Sequence, residues 1–462
     1  MSNSINDKKI KKYLKILKEN NLKSGFYQCA YELLALKEIK DDTEDFETLY
    51  DSTICVISPI LISFVTWILK KAQSNDVKKL YFLSRDGQIM YKIAKVLVAK
   101  YHIPIELHYL FCSRISLRLP LYYVNRAEAM DKLFLNGAYV TMQSILDRLQ
   151  LTFEEKKIVL ESSGIDMEES YKQLTTIGII NFRKKIENNK NFNDLVQKKS
   201  EMSYEVLMKY LEQEGLCDNQ IKFAIVDSGW VGSMQRSIRI LLDSHNTKIK
   251  FEGYYFGLFG NQKKEDGSYY GFYFSNKKGM LRSVFFNNNL FECICSADHG
   301  MTIGYNNNES GKITPKLKEH IGDNKLYLQQ ELILKFAENL DYNYNSIYEN
   351  DIIKWIRKLI KCFMAFPSNK ELQYYGNIKF CDDTTENYMM ILAPKLSLNE
   401  MKYHLIPMKI YFRIFYKGHS KKIQESFWMW GTIRKLSKQY QLIFSINYFT
   451  WQVFQWFRRR NK

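Results

Sequence analysis

The stretch IKFAIVDSGWVGSMQRSI, residues 221–238, runs from an apolar segment through a carboxylate and two glycines into an amphipathic pattern. FAIV is typical of a buried strand, and apolar residues then recur at helical spacing from Met234 to Leu242. Asp227 is expected to end the strand. The stretch therefore predicts a strand, a tight turn containing glycine, and a helix.

The same pattern occurs at other places in the chain. LYFL at 80–83 is a short apolar strand that ends at SRDG, residues 84–87, and a helical pattern follows. IELHYLFCSR at 105–114 and FEGYYFGLFG at 251–260 are further strands. Alternating strands and helices predict an α/β fold with a doubly wound, mainly parallel sheet, of the phosphoribosyltransferase or Rossmann-like kind.

Helical patterns surround and interrupt this α/β unit. We expect an N-terminal helical segment at 1–50, an α/β catalytic domain at 51–305 with a helical insertion at about 120–216, and a helical, basic and aromatic C-terminal region at 306–462. Within the insertion, Thr152 and Glu155 have capping-box spacing and Gly164 is a stop signal.

Composition indicates a globular protein of the cytoplasm. The 462 residues are 46% hydrophobic and 25% charged, as in ordinary globular proteins. The eight cysteines contain no C-x-x-C pair, and the first residues lack a secretory signal, so reduced thiols are expected. The longest apolar run, from Ile54, has about sixteen residues, fewer than the roughly 20 of a bilayer span, and predicts a buried helix.

The positive charge is concentrated at the C-terminus. The net charge is +17, and residues 401–462 contain about thirteen Lys/Arg against one acid, Glu425. Tryptophan and phenylalanine are interleaved with these cations, a composition that suits a helix at an anionic membrane surface. One alternative is a helix docked on the body of the protein with a solvated basic face. Single-stranded nucleic acid also binds basic and aromatic surfaces, but we do not expect it as a partner.

Three polar segments follow predicted strands: SRDG at 84–87, SR at 113–114 and DSGWVGS at 227–233. In doubly wound sheets, ligands bind beyond the carboxyl ends of the strands, so these segments are expected to face one crevice. Gly229, Gly232 and Ser233 suit a small phosphate cup at a helix N-terminus, with Asp227 accepting from ribose hydroxyls. No lysine follows the glycines, and a third glycine is missing, which excludes a P-loop and a dinucleotide fingerprint. A tight turn without a ligand is the alternative.

The segment SRDG adds charge to the crevice. Ser84, Arg85 and Asp86 directly follow a strand, and Gly87 permits close backbone approach. Such a turn suits a pyrophosphate or a magnesium-bound phosphate, with the arginine balancing charge on the leaving group. A purely structural turn is the alternative, and the nearby Arg114 and Arg118 are further cations or simply solvated residues.

Together, YFLSRDG, Y-x-x-C-S-R, VDSGWVGSMQ and the following G-Y-Y-F-G resemble a module of bacterial polysaccharide-biosynthesis loci, over about residues 50–305. This module is often labelled as part of haloacid-dehalogenase-superfamily proteins, because a phosphatase domain precedes it in longer relatives; the D-x-D signature of that domain is not present near the start of this sequence. The order of elements also resembles phosphoribosyltransferases, and the members acting on glycans are glycosyl phosphoribosyltransferases. In the type I enzymes two adjacent acids precede the phosphate loop, whereas here Ser228 follows Asp227.

This resemblance implies transfer of 5-phosphoribose from 5-phosphoribosyl 1-pyrophosphate, or another sugar-phosphate donor, to a glycan, leaving the phosphate for a separate phosphatase. It implies a Mg²⁺ cofactor at Asp86 and Asp227, with Arg85 also in a catalytic role. The substrate-binding residues that it implies are Ser84, Gly87, Ser113, Arg114, Ser228, Gly229, Trp230, Gly232, Ser233 and Gln235.

The later segment LFECICSADHGMTIGY, residues 290–305, matches the end of the same module. Glu292 and His299 are its general-base candidates, since an acceptor hydroxyl must lose a proton during transfer. Each side chain is also of a kind that often has only a structural partner.

The expected acceptor is a lipid-linked glycan, which places the protein in the cytoplasm, peripherally at the inner face of the plasma membrane. One alternative is a haloacid-dehalogenase-type phosphatase with Asp86 as nucleophile, although Gln88 stands where its second aspartate is needed. A non-catalytic scaffold of a polysaccharide assembly complex is another. A nucleotide-sugar glycosyltransferase is disfavoured by the absence of a clear D-x-D motif near a strand end.

Overall fold

The computed structural model describes residues 3–19, 25–37, 43–245, 249–276, 278–320, 323–346, 349–383, 385–415 and 424–460. Its central sheet has five strands, β1 (Lys79–Leu83), β2 (Glu106–Leu110), β3 (Phe223–Trp230), β4 (Glu252–Leu258) and β5 (Ser268–Phe274). They lie in the order β2-β1-β3-β4-β5, and every neighbouring pair is parallel. The chain adds β2 on one side of β1 and the remaining strands on the other, an order found in doubly wound sheets. The expected α/β class with a parallel sheet is confirmed.

Helices precede the sheet and connect its first two strands. They are α1 (Lys8–Lys18), α2 (Phe26–Ala35), α3 (Glu44–Ser52), α4 (Ser58–Ser74) and α5 (Gly87–Tyr101). A π-helical turn at Thr53–Ile57 joins α3 to α4, which gives one continuous helix over Glu44–Ser74. In the described part of the chain, this is the one helix long and apolar enough to cross a membrane, and its apolar window is completely buried by the protein itself. A buried helix was predicted here.

The insertion between β2 and β3 is helical, as predicted. It contains α6 (Arg114–Val124), α7 (Arg126–Leu133), α8 (Met142–Asp147), α9 (Phe153–Ser162), α10 (Met167–Ser170), α11 (Thr176–Glu187) and α12 (Lys190–Gln213). The helices begin at Arg114 rather than near 120, because Ser113 accepts from the backbone N–H groups of Ile115 and Ser116 and caps α6 directly after β2. The capping box of Thr152 and Glu155 is present at the start of α9.

The rest of the chain is mostly helical. Its elements are α13 (Ser233–Ser244), α14 (Asn288–Ile294), β6 (Thr302–Asn307), β7 (Ile313–Leu317), α15 (Asn324–Asn339), α16 (Glu349–Ile360), α17 (Asn369–Gly376), β8 (Lys379–Phe380), β9 (Met390–Ile391), α18 (Leu398–Lys402), α19 (Ile406–Phe415), α20 (Met429–Arg434) and α21 (Lys438–Arg460). Short 3-10 turns lie at Asn3–Asn6, Lys264–Asp266, Met280–Phe285 and Tyr344–Ser346, and a π-helical turn lies at Lys361–Ala365. The antiparallel pairs β6-β7 and β8-β9 are additions to the purely helical region predicted after residue 305.

Both faces of the sheet are covered by helices. Leu80 and Phe82 of β1 share a core with α4 and α5, whereas Tyr81 and Leu83 point the other way, into a core with α12 and α13. The first core also contains residues of α2, α15 and α20, and Trp428, which directly precedes α20. The N-terminal and C-terminal helices are therefore packed into the same hydrophobic core as the sheet.

The end of β3 differs from the prediction. Asp227 was expected to follow the strand, but it lies within β3 and is paired with Tyr255 of β4, and the pairing continues through Gly229 and Trp230. The strand continues because β4 runs alongside it as far as Leu258 and supplies backbone partners beyond the apolar run FAIV. Asp227 is therefore held by the sheet rather than by a loop.

Candidate functional site

A cavity of about 840 Å³ opens at the carboxyl ends of β1 and β3, the two strands between which the sheet order reverses. This is the position where doubly wound sheets bind ligands. Its inner wall contains most of the predicted site residues: Ser84, Arg85, Asp86, Ser113, Arg114, Asp227, Ser228, Gly229, Trp230, Ser233 and Glu292. The three polar segments that follow or end the strands therefore do meet at one cavity.

Three acidic side chains of this wall influence each other. Burial raises the pKa of Asp86 above its usual range. Burial, followed by the negative charge of Asp86, raises the pKa of Asp227 to about 7 and that of Glu292 to about 8. Because like charges confined together disfavour ionisation, this group attracts either protons or a cation near neutral pH.

Two polar neighbours orient these carboxyl groups. The Ser228 hydroxyl donates a hydrogen bond to Oδ2 of Asp86, and the Trp230 indole Nε1 donates to Oε1 of Glu292 at 2.5 Å. Both bonds favour the ionised carboxylate and oppose part of the effect of burial on its pKa. Two residues of β3 therefore orient an acid from the turn after β1 and an acid from α14.

Two arginines supply the positive charge of the inner wall. Arg85 forms an ion pair with Glu386 of the C-terminal region. Arg114, at the first turn of α6, is exposed and lines the cavity, and it forms no hydrogen bond or ion pair with another residue that the structure describes. Its charge lowers the pKa of all three carboxyl groups. Arg114 is therefore available to a ligand anion, whereas Arg85 must exchange partners. Arg118 is buried, which lowers its pKa to about 9, and lies outside the cavity wall.

The turn from β3 to α13 requires glycine at two positions. Gly229 has φ +118°, and a Cβ atom there would lie 2.2 Å from the carbonyl oxygen of Gly257. Gly232 has φ +68°, and a Cβ atom would lie 2.4 Å from a ring carbon of Tyr269. Gly229 and Ser233 line the cavity, but the ring of Tyr269 lies against Gly232 and keeps it outside the wall. Of the phosphate cup predicted at 229–233, Gly232 is therefore the one residue that does not line the cavity.

Three other predicted residues also lie outside the cavity wall. Gly87 packs against the backbone of β1. The buried amide of Gln235 donates to the carbonyl of Asp266 at 3.0 Å and accepts from the Tyr255 hydroxyl at 2.7 Å, so it joins α13 to the sheet. The structure therefore gives Gln235 a packing role, with its polar atoms bonded inside the protein.

His299 is the third of these residues. Its Nε2 lies 2.7 Å from the Tyr109 hydroxyl, and its Nδ1 donates to the carbonyl of Gly300 at 2.8 Å. Burial lowers the pKa of the ring, which favours neutral imidazole. Of the two general-base candidates, Glu292 is the one that lines the cavity.

The outer wall of the cavity was not predicted. It comes from residues around 320–329 and from 373–389, and it is rich in amide and aromatic side chains such as Gln373, Tyr374 and Asn377. Asp383 of this wall forms a buried ion pair with Arg148 of the insertion, with a nitrogen–oxygen distance of 3.0 Å. The ion pair attaches the wall to the insertion. No motif marks these residues in the sequence, since they reach the site only through the packing of the C-terminal region on the sheet.

The residues at the inner wall fit a magnesium site that a ligand completes. Within the described ranges, no three His, Cys, Asp or Glu side chains form a group that could hold a metal ion by themselves. Mg²⁺, however, is commonly bound by one or two carboxylates together with substrate phosphates and water. Asp86, in the turn after β1, and Asp227 of the adjacent strand β3 line one cavity, and the charge of Asp86 raises the pKa of Asp227, which fits this arrangement.

Comparison with family models found no match, and comparison with curated proteins found none either.

Proposed function

We propose that this protein transfers a 5-phosphoribosyl group from 5-phosphoribosyl 1-pyrophosphate to a glycan acceptor in the synthesis of a cell-surface polysaccharide. One observation carries the proposal. Asp86, in the turn after β1, and Asp227, within β3, face one cavity at the point where the sheet order reverses, with Arg85 and Arg114 in the same wall. Two acids suit magnesium and ribose hydroxyls, and two arginines suit a pyrophosphate.

In the proposed reaction, an acceptor hydroxyl oxygen bonds to C1 of the ribose, and the bond from C1 to the pyrophosphate oxygen breaks. Pyrophosphate leaves with the electron pair, and the hydroxyl proton moves to the carboxylate of Glu292. Bound Mg²⁺, held by Asp86 and Asp227, would neutralise charge on the departing pyrophosphate. With its pKa near 8, Glu292 is close to the balance between accepting and releasing a proton that general base catalysis favours.

The remaining polar groups of the inner wall would orient the donor. The Ser84 hydroxyl donates to the Cys112 carbonyl at 2.7 Å and accepts from the Cys112 N–H at 3.0 Å, which leaves it one lone pair for a hydroxyl of the donor. The Ser113 hydroxyl donates to the Thr302 carbonyl at 2.6 Å and accepts from the N–H groups that it caps, so Ser113 would shape the cavity rather than bind the donor. Ser233, at the N-terminus of α13, and the backbone at Gly229 lie where the 5-phosphate would bind.

The acceptor would occupy the outer wall, whose amides and aromatic rings suit sugar hydroxyls and sugar faces. The product would still carry the 5-phosphate, so a separate phosphatase would have to remove it. We further propose that the acceptor is lipid-linked, which would keep the protein at the inner face of the plasma membrane.

Isothermal titration of the full chain with 5-phosphoribosyl 1-pyrophosphate, with and without Mg²⁺, tests the proposal. We expect magnesium-dependent binding in the wild type and its loss in Asp227→Asn. Asp218→Asn is the matched control, because Asp218 is an exposed acid of the same domain outside the cavity wall, and it should bind normally. A folded wild-type protein that binds no donor in either condition would contradict the proposal.

The phosphatase alternative has less support from the geometry. It needs an acid at position 88, where the Gln88 amide instead donates to Asp298 Oδ1 at 2.6 Å and its carbonyl accepts from the Asp298 backbone. Hydrolysis of an aryl phosphate that is abolished by Asp86→Asn would nevertheless replace the transferase proposal with this one. A titration with nucleotide sugars tests the remaining enzyme class, the nucleotide-sugar glycosyltransferases. A protein that binds neither 5-phosphoribosyl 1-pyrophosphate nor a nucleotide sugar would favour the non-catalytic scaffold.

A further inference from the structure

The C-terminal helix α21 turns an apolar face away from the protein. Six large apolar side chains between Leu442 and Phe457 are 40–66% exposed, and at about 3.6 residues per turn their positions fall on one side of the helix. We call them the apolar stripe: Leu442, Ile443, Ile446, Phe449, Phe454 and Phe457. A helix at an ordinary protein surface shows the opposite arrangement, with its polar side facing outward.

The neighbouring helix α19 extends this surface. Ile410 and Tyr411 of α19 are also exposed. The backbone N–H of Ile406 donates to Asn447 Oδ1 at 3.0 Å, and the Lys409 ammonium lies 4.6 Å from the centre of the Trp451 ring. Since these contacts hold α19 against α21, the exposed apolar side chains belong to one surface built from two helices.

The inward side of α21 is attached to the protein. Phe444 is buried, and the Tyr448 ring packs edge-on against Trp430 at 5.2 Å. These contacts hold the helix along the body over several turns. Its apolar stripe can therefore enter a bilayer boundary sideways, while the helix itself does not cross the membrane.

The charges around the stripe select the partner. Lys438 lies in the first turn of α21, Arg458 and Arg459 lie in the last, and the helix contains no acidic residue. A second copy of the same surface would bring these like charges together. An anionic lipid surface instead places headgroups at the cations and acyl chains at the stripe.

We propose that α19 and α21 form a binding surface for anionic lipid bilayers, with the apolar stripe inserted at the acyl boundary. This surface does not depend on the transfer reaction. The surface lies near the cavity. The Arg459 guanidinium lies 4.5 Å from the centre of the Phe259 ring, and the centre of that ring lies 6.3 Å from the ring centre of Trp230 in the cavity wall. The lipid surface would thus adjoin the edge of the sheet where the cavity lies, which, if the proposed function holds, suits a lipid-linked acceptor.

Co-sedimentation of the full chain with vesicles tests the surface. Wild-type protein should bind vesicles of mixed phosphatidylcholine and phosphatidylglycerol, and bind pure phosphatidylcholine much more weakly. Changing Ile443, Ile446 and Phe454 together to serine should lower the partition coefficient at least about tenfold. Changing Lys438 and Arg458 to glutamine should lower the partition coefficient on anionic vesicles about fivefold for each charge removed, and should leave binding to pure phosphatidylcholine unchanged.

A triple variant of the insertion provides the matched control. It changes Phe153, Ile158 and Ile180 to serine, which removes the same residue types as the α21 variant. These side chains are 48–55% exposed and lie far from α21 in the sequence. Vesicle binding of this variant should stay within about twofold of the wild-type value. Equal losses of vesicle binding in both triple variants would overturn the proposal. A folded wild-type protein that does not bind anionic vesicles would also overturn it. The proposal would also be overturned if light scattering showed that the wild type is a dimer and that only the α21 triple variant is a monomer. The apolar stripe would then bind a second copy of the protein.

The vesicle assay contains no donor, and the titration contains no vesicles. Failure of one therefore does not imply failure of the other.

Discussion

Replacing Asp227 by asparagine should make the protein more stable, and more so at high pH than at low pH. The pKa of this carboxyl is raised from its usual 3.8 to about 7 by burial and by the charge of Asp86. A raised pKa means that the ionised side chain destabilises the folded state. The destabilisation is absent when the group is protonated in both states, grows as the pH rises above 4, and is complete above pH 7. Asparagine keeps the shape of the side chain and removes the charge.

The size of the effect follows from the pKa. A rise to about 7 corresponds to on the order of 4 kcal/mol of destabilisation in the ionised state. Because Asp227 is open to the cavity, solvent screening reduces this to about 2 kcal/mol. With about 2.1 cal/mol/K of unfolding entropy per residue, a chain of 462 residues that unfolds as one unit would melt about 2 °C higher.

The measurement is thermal unfolding of wild type and Asp227→Asn at pH 5 and pH 8. The variant should have the higher midpoint at pH 8, with a smaller difference at pH 5. Mg²⁺ added together with 5-phosphoribosyl 1-pyrophosphate should raise the midpoint of the wild type and not that of the variant. A variant that melts below the wild type at pH 8, or whose gain is equal at both pH values, would refute the idea that the charges at this site oppose folding.

Two further substitutions test the structure around the cavity. Gly229→Ala should destabilise the protein by about 3 kcal/mol or more, because the new methyl group would overlap the Gly257 carbonyl at a positive φ, and the thermal midpoint should fall accordingly. Asp383→Ala should cost about 3–5 kcal/mol by leaving the buried charge of Arg148 without this partner. Asp218→Asn, at an exposed position, should leave the midpoint within about 1 °C, and an equal shift in it would count against both explanations.

The sheet was predictable because its signals are local. Apolar runs such as LYFL and FAIV, each followed by a helical pattern, indicate parallel strands with helices on both faces, and the structure contains them. The predicted end of β3 was wrong by four residues. Hydropathy stops at Val226, whereas the strand continues to Trp230 because β4 lies beside it. Pairing between strands that are distant in sequence leaves no mark in either one.

The inner wall of the cavity was predictable for a related reason. Polar residues that follow apolar strands must gather at one edge of a parallel sheet, so Arg85, Asp86 and Arg114 could be placed together. The outer wall could not be predicted, since Tyr374 and Asn377 lie on a helix and a loop whose position depends on the whole core. Gln235 was misplaced because it lies three residues before Ile238, on the buried side of α13, and apolar spacing does not reveal which polar groups a buried amide will bind.

The joining of both ends of the chain to one core has a consequence for how the protein matures during synthesis. The inner wall of the cavity is complete once Glu292 has been made, but the outer wall needs the chain up to about residue 389. The helix α21, residues 438–460, emerges after both walls. Because domains fold as units, and the core beneath the cavity includes Trp428 and Trp430, the cavity would become fixed only once α20 has been made, directly before α21. The binding site and the lipid-binding surface would therefore be completed together, at the end of synthesis.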